Sequence, residues 1–349
     1  MFRIMAAKKV NLANLPTSLH PLPKVSSWLE GPEIWVKRDD LTGCALSGNK
    51  VRKLEYVIYD AIKKKSDVLI TCGGIQSNHA RATAVAAAKV GLKCHLVLSG
   101  QLEDVPDGNT FLDFLFGAKV TFLEGANLSE MDQAMEDVAQ TYIKEGKKPY
   151  VIPLGASSPL GALGYIGAAT EITMQAGELR EKFDYVVVPC GSAGTLAGLA
   201  IGFSYLNPQT EIWGISVSFK ENWIREKVTS LAQETKEQFL PELATPITNF
   251  RVLDNYIGEG YGETTPEQLK MIQQIASLEG LVLDPVYTGK AFWGLKEEIR
   301  KGTLKKGQKV LFVHTGGIFG LFANHYRKML ARNIFDLKIQ NYIHLDKND

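Results

Sequence analysis

The chain has 349 residues, 45% of them hydrophobic and 22% charged, enough to bury a sizeable core and more than one small domain requires. Lys and Arg number 39 against 38 Asp and Glu, so a net charge of +1 gives no general attraction for nucleic acid or any other polyanion. No window approaches the roughly 18 apolar residues of a membrane span, and Cys44, Cys72, Cys94 and Cys190 are too widely spaced for a C-x-x-C metal or redox motif and too few for a disulfide framework.

The opening stretch MFRIMAAKKVNLANLP lacks the long apolar segment of a secretory signal, so a cytoplasmic protein with reduced thiols is expected. Next comes SGNKVRKLEY. If a helix starts near Asn49, a rotation of about 100° per residue puts Val51, Leu54, Val57, Ile58, Ala61 and Ile62 on an apolar half. Lys50 lies at the edge of that half, whereas Arg52 and Lys53 point the other way. An ammonium at the positive end of a helix and against a core is doubly disfavoured, and both effects push toward a neutral, nucleophilic amine. Taken alone, the stretch leaves a snorkelling lysine open as well.

From there strands and helices alternate. Asp67–Gly74 reads as a buried strand, followed by the Ala-rich helix SNHARATAVAAAKVG and the strand Lys93–Leu98. A helix near NTFLDFLFG, the strand Lys119–Leu123, the helix LSEMDQAMEDVAQTYIKEG and the strand Pro149–Pro153 continue the order. After Leu160 come a long helix, the strand Tyr185–Pro189, a helix from Gly194, the strand Glu211–Val217 and, near the end, the strand Lys309–His314. TTPEQLKMIQQIASLEG is a signed helix: Thr265 caps it, Pro266 opens it, Gln268 completes a capping box and Gly280 stops it. The basic runs Lys63–Lys65 and Lys147–Lys148 fall at helix ends, where cations complement the dipole. Such alternation predicts an α/β protein with two lobes of open, twisted parallel sheet, a small lobe at residues 51–160 and a larger one built from 1–50 and 161–349.

Ligands of open α/β sheets bind beyond the carboxyl ends of the strands. In TCGGIQSNHAR, two glycines precede Ser77, Asn78 and His79 at a helix start, where hydroxyl, amide, imidazole and free N–H groups suit a carboxylate, or form an ordinary N-cap. In VVVPCGSAGTLAGLA, the small residues Gly191, Ser192, Ala193, Gly194 and Thr195 permit a nest of N–H groups for a phosphate monoester. The loop has no lysine of the G-x-x-x-x-G-K-[ST] kind, and it departs from the G-x-G-x-x-G of nicotinamide enzymes. Tyr261 in a Gly-rich loop, Tyr287 and Thr288 in LDPVYTGKA, and Thr315 after the last strand complete the candidates. A nucleophilic lysine, a phosphate nest and a carboxylate site together match one requirement list, pyridoxal 5′-phosphate with a small amino-acid substrate.

GNKVRKLEY, GGIQSNHARATA, GASSPLGALGY, GSAGTLAGL, GYG and LDPVYTGKA, in that order and over essentially the whole chain, resemble the D-cysteine desulfhydrase and 1-aminocyclopropane-1-carboxylate (ACC) deaminase family, pyridoxal-phosphate enzymes of the tryptophan-synthase β fold, type II. The resemblance implies that Lys50 forms the Schiff base, that Asn78 binds the cofactor's 3′-oxygen and that Gly191–Thr195 holds its phosphate. It further implies that Ser77, Asn78 and His79 receive the substrate carboxylate, that Tyr261 and Tyr287 line the reacting side, and that the enzyme is a homodimer. The deaminases carry Glu after the DPVY tyrosine, Leu after the last strand and Gln after QSN. Here Thr288, Thr315 and His79 stand at those positions, a pattern similar to the desulfhydrase branch. A neutral hydroxyl at the pyridine nitrogen, from Thr315 or else Thr288, suits elimination of a good leaving group. The expected reaction is therefore α,β-elimination of D-cysteine to pyruvate, hydrogen sulfide and ammonia. ACC deaminase, L-cysteate sulfo-lyase and a non-catalytic pyridoxal-phosphate-binding protein are the alternatives.

Overall fold

In the strand VLITCGG the side chains of Val68, Ile70 and Cys72 join one apolar cluster and Leu69 joins another, because successive residues of a strand face opposite sides of the sheet and here both sides are covered. The computed structural model, which describes residues 7–102, 104–242 and 247–333, places this strand, β3 (Val68–Gly74), inside a four-stranded sheet. The start of the chain's opening stretch, through residue 6, lies outside the described residues. The sheet runs β5 (Lys119–Leu123), β4 (Lys93–Ser99), β3, β6 (Pro149–Val151), every pair parallel.

A second sheet has six strands: β1 (Leu19–Pro21), β2 (Glu33–Lys37), β10 (Lys309–Val313), β7 (Tyr185–Cys190), β8 (Glu211–Ser216) and β9 (Phe250–Leu253), in that spatial order. All its pairs are parallel except the edge pair β1 and β2. Val186 and Val188 pack with Ile172, Leu196 and Leu311 on one face, and Val187 with Trp213, Phe292 and Phe312 on the other. The sheet reading is thus correct in kind, and sequence reasoning missed β1, β2 and β9. Each is three to five residues long and β1 ends in a proline; β5, β6 and β10 are as short, but they stand in the regular alternation of strand and helix that made them readable, and β1, β2 and β9 do not.

The helix at Pro266–Glu279 carries the expected capping box between Thr265 and Gln268 and ends at Gly280 in a left-handed conformation. The helix Asn49–Lys63 departs from expectation. Arg52 and Lys53 do not face away from the core: they are 2% and 0% exposed. The reason is a second helix, Pro159–Leu179, laid against that face; a Cβ on Gly164 would sit 2.4 Å from the Arg52 carbonyl oxygen, so only glycine permits this approach. Arg52 is neutralised there by Asp39 at 2.8 Å and Glu171 at 2.9 Å, and Glu171 also pairs with the buried Lys37. Among the described residues, no helix is long and apolar enough to cross a membrane.

Candidate active site

The carboxyl ends of β3 and β7 open on one cleft, a cavity of about 670 Å³ whose wall includes Lys50, Gly74, Ser77, Gly191, Tyr261 and Tyr287. It leads to a narrow recess walled by Asn49, Lys50, Asn78, the turn from Gly191 to Thr195, and Thr315. The two glycine turns read from the sequence therefore face one another, with Lys50 between them.

Lys50 is the second residue of its helix, where N–H groups have no intrahelical acceptor and the dipole is positive. Burial lowers its pKa from 10.5 to about 8, opposed by the neighbouring Cys190 thiol, which burial itself pushes up to about 12. Among the described residues, no carboxylate pairs with the Lys50 ammonium. Its Nζ stands 6.0 Å from the centroid of the Tyr287 ring.

Ser77 caps the helix Asn78–Val90, its Oγ accepting from the Ala80 N–H at 3.2 Å. That bond uses a lone pair and leaves the Ser77 hydroxyl proton available to an anion. The first N–H groups of this helix are open for the same purpose. The His79 imidazole, in contrast, does not converge on the turn as a cation. Its Nε2 meets Thr71 Oγ1 at 2.8 Å; since Thr71 donates to the Ile152 carbonyl, Nε2 must be the protonated nitrogen. Among the described residues Nδ1 has no partner, and burial, followed by the charges of Lys50 and Lys53, holds the ring's pKa well below its usual value. His79 can offer an anion its backbone N–H, not a charge.

The turn after β7 is shaped for an anion. Ala193 adopts φ 66°, a left-handed conformation unusual for alanine, directly before the helix Gly194–Leu206. Behind the turn lies the GASSPLGALGY segment: Ser157 Oγ donates to Ser192 Oγ at 2.8 Å and accepts from the Gly194 N–H at 3.2 Å. Lys53 Nζ donates to the Gly155 carbonyl at 2.5 Å and approaches Ser157 Oγ at 3.4 Å, and among the described residues it has no acid partner. Burial, then the nearby Lys50 charge, drives its pKa well below the usual range. A Cβ on Gly194 would come within 2.6 Å of Ser157 Oγ and 2.7 Å of Lys53 Nζ. A buried, unneutralised amine beside a helix start and a glycine-lined hollow is what a phosphate requires. Pyridoxal phosphate therefore fits this donor set.

Asn49, Lys53 and Ser157 were missed by sequence reasoning as site residues. Asn49 Nδ2 donates to Thr195 Oγ1 at 3.0 Å. The available signal was the GASS motif itself, which had no assigned task.

On the open side, the Tyr261 and Tyr287 hydroxyls are 2.7 Å apart. Tyr261 keeps 42% of its surface exposed, with its ring edge packed over Gly74. Burial of the Tyr287 hydroxyl raises its pKa to about 12, opposed by the hydrogen bond from Tyr261. Asp284 fixes the turn, accepting from the N–H groups of Val286, Tyr287 and Thr288 at 2.8 to 3.0 Å and from the Thr288 hydroxyl at 2.6 Å. The structure brings Thr315 to the recess but not Thr288, whose hydroxyl is spent on Asp284.

A model of the pyridoxal-phosphate-dependent enzymes matches residues 10–316. A Pyrococcus abyssi protein with the provisional name 1-aminocyclopropane-1-carboxylate deaminase is 43% identical over 318 residues, 91% of this chain and 93% of that protein. D-Cysteine desulfhydrase of Salmonella choleraesuis is 40% identical over 322 residues, covering 91% and 96% of the two chains. The crystal structure of an ACC deaminase homologue superposes with a TM-score of 0.85 at 41% identity, over 95% of this chain and 98% of that one. Threonine deaminase isoform 2 of Solanum lycopersicum, at 17% identity, covers 95% and 87% with a TM-score of 0.66, a likeness of fold.

Proposed function

Because this chain belongs to the pyridoxal-phosphate-dependent enzymes, in the group that holds the ACC deaminases and D-cysteine desulfhydrases, we propose that its cleft eliminates sulfide from D-cysteine. The observation that carries this reading is the recess wall: Thr315 is there, and among the described residues no carboxylate is. When bound, the cofactor supplies an aldehyde for the substrate amine and a ring that withdraws electrons from Cα. A neutral hydroxyl opposite the ring nitrogen tempers that withdrawal, which suits a reaction whose electron pair leaves promptly with sulfur.

The residues divide the remaining work. The Ser77 hydroxyl and the N–H groups of Asn78 and His79 orient the substrate carboxylate. Asn78 offers its amide to the cofactor's 3′-oxygen, and Gly191–Thr195 with Lys53 holds the phosphate, at the junction of the lobes expected at 51–160 and at 1–50 with 161–349. Lys50, with a pKa of about 8, is suited to take the proton from Cα near neutral pH. The tyrosine pair is suited to deliver a proton to the departing sulfur. Net, the Cα–H and Cβ–S bonds break, a carbon–carbon double bond forms, hydrogen sulfide leaves, and water converts the released aminoacrylate to pyruvate and ammonia.

The test is a panel of D-cysteine, L-cysteine, β-chloro-D-alanine, L-cysteate and ACC, with pyruvate and 2-oxobutyrate measured from each. D-Cysteine should give the highest kcat/KM for pyruvate with equimolar sulfide. A preference for ACC, read as 2-oxobutyrate, or for L-cysteate with sulfite, would replace this reading.

A further inference from the structure

We infer that Asn109 is a positioning residue that sets which end of the Asn78 amide faces the cofactor. This rests on the reading that Asn78 contacts the cofactor, and goes one step behind it.

An amide can present either its oxygen or its NH2 group, two ends alike in shape and opposite in polarity. A donor toward the cofactor's 3′-oxygen is favourable; a carbonyl there would set lone pair against lone pair. Asn78 stands at the start of its helix with its Oδ1 accepting from Asn109 Nδ2 at 3.1 Å, which leaves its own NH2 for the recess. Asn109, in the helix Gly108–Leu115, is completely buried and also free in principle to turn over. It cannot here, because its Oδ1 accepts from Arg81 Nε at 2.9 Å, and a guanidinium has donors only. Its NH2 is confirmed in place by a second acceptor, the Gln76 carbonyl at 3.0 Å.

Arg81 is in turn immobilised. It is completely buried, donates to the carbonyls of Ala45 and Ser47 just before the Lys50 helix, and lies 5.0 Å from the Phe319 ring centroid. Polarity therefore passes in one direction, from a group that can only donate, through two amides, to the recess. Burial makes the order strict at Arg81 and Asn109, both completely buried, because a reversed Asn109 amide would set its NH2 against the guanidinium donors.

Asn109→Asp reverses the signal with almost no change in shape. Arg81 keeps a carboxylate partner, but the second oxygen now faces Asn78, which must turn its NH2 inward and its carbonyl toward the cofactor. Asn109→Ala, which removes the donor without reversing it, is the companion variant should the acid disturb folding. The dissociation constant of pyridoxal phosphate and the visible band of the bound cofactor are measured in wild type, N109D, N109A, N78A and the double variants N109D/N78A and N109A/N78A.

We expect N109D to weaken cofactor binding about tenfold or more and to shift the band, as loss of a bond to a charged oxygen implies. N109A should weaken it less. In the N78A background both should add nothing further, because the path ends at Asn78. Equal losses with and without Asn78 would mean that Asn109 only supports the fold, and the inference falls. If N78A alone leaves affinity and band unchanged, the contact between Asn78 and the cofactor is wrong, and the relay falls with it.

Discussion

Moving the pH past Lys50 is the most direct probe of this site, because in the proposed reaction the amine must shed its proton before it bonds the cofactor's aldehyde. Its pKa, lowered by burial from 10.5 to about 8, leaves about a quarter of the amine free at pH 7.5, against about 0.1% for an unperturbed lysine, a gain of roughly two hundredfold. The same displacement costs the cofactor-free protein about 3 kcal/mol at neutral pH. Its sign follows from proton counting: between pH 8 and 10.5 the unfolded chain holds a proton that the folded chain lacks, so stability rises with pH in that window, and below 8 the cost is present in full. The assay mixes cofactor-free protein with pyridoxal phosphate and follows the growth of the visible band against pH. The rate should rise with a midpoint near 8, and Lys50→Ala should give no protein-bound band and no turnover. Lys50→Met should stabilise the cofactor-free protein at pH 7, with the advantage shrinking as the pH rises from 8 and nearly gone by 10.5. A rate still climbing steeply at pH 10 would refute the claim that burial activates this amine.

Further tests address separate parts of the molecule. Arg52→Met leaves the buried Asp39 without its ion-pair partner and Glu171 with Lys37 alone, and should cost about 3 to 5 kcal/mol in urea unfolding; a loss below 1 kcal/mol would show the network to be dispensable. Gly194→Ala drives a methyl group against Ser157 and Lys53, so the dissociation constant of pyridoxal phosphate should rise at least about tenfold, and unchanged binding would displace the phosphate from this turn. Tyr287→Phe should lower turnover of D-cysteine about a hundredfold and spare β-chloro-D-alanine, since chloride leaves without a proton; equal losses would remove the tyrosine from leaving-group protonation. Thr288→Glu with Thr315→Leu should lower sulfide release and bring some 2-oxobutyrate from ACC. It should also lower the melting temperature, because the new carboxylate must be buried beside Asp284.

The sheets were legible in the sequence where strand and helix alternate regularly, as in VLITCGG and YVVVPC and even in the short edge strands β5 and β6, and illegible at β1, β2 and β9, which fall outside that alternation. The site turns were legible because glycine and hydroxyl residues clustered where a strand met a helix. What failed was the judgement of charge. Helical periodicity assigns a lysine or arginine to solvent by default, and Arg52 and Lys53 violate it for reasons that reside elsewhere in the chain. Arg52 answers to Glu171, and Lys53 to Gly155, partners more than a hundred positions away. The neutral state of His79 was hidden in the same way, behind a hydroxyl on β3.

Lys53 has a practical consequence at the bench. With no acid partner among the described residues, its amine leaves the empty protein receptive to any small dianion, so inorganic phosphate or sulfate in a purification buffer should lodge in the hollow, protect the chain against heat, and compete with the vitamin for entry. Cofactor content would then depend on the salt chosen for dialysis as much as on the preparation itself.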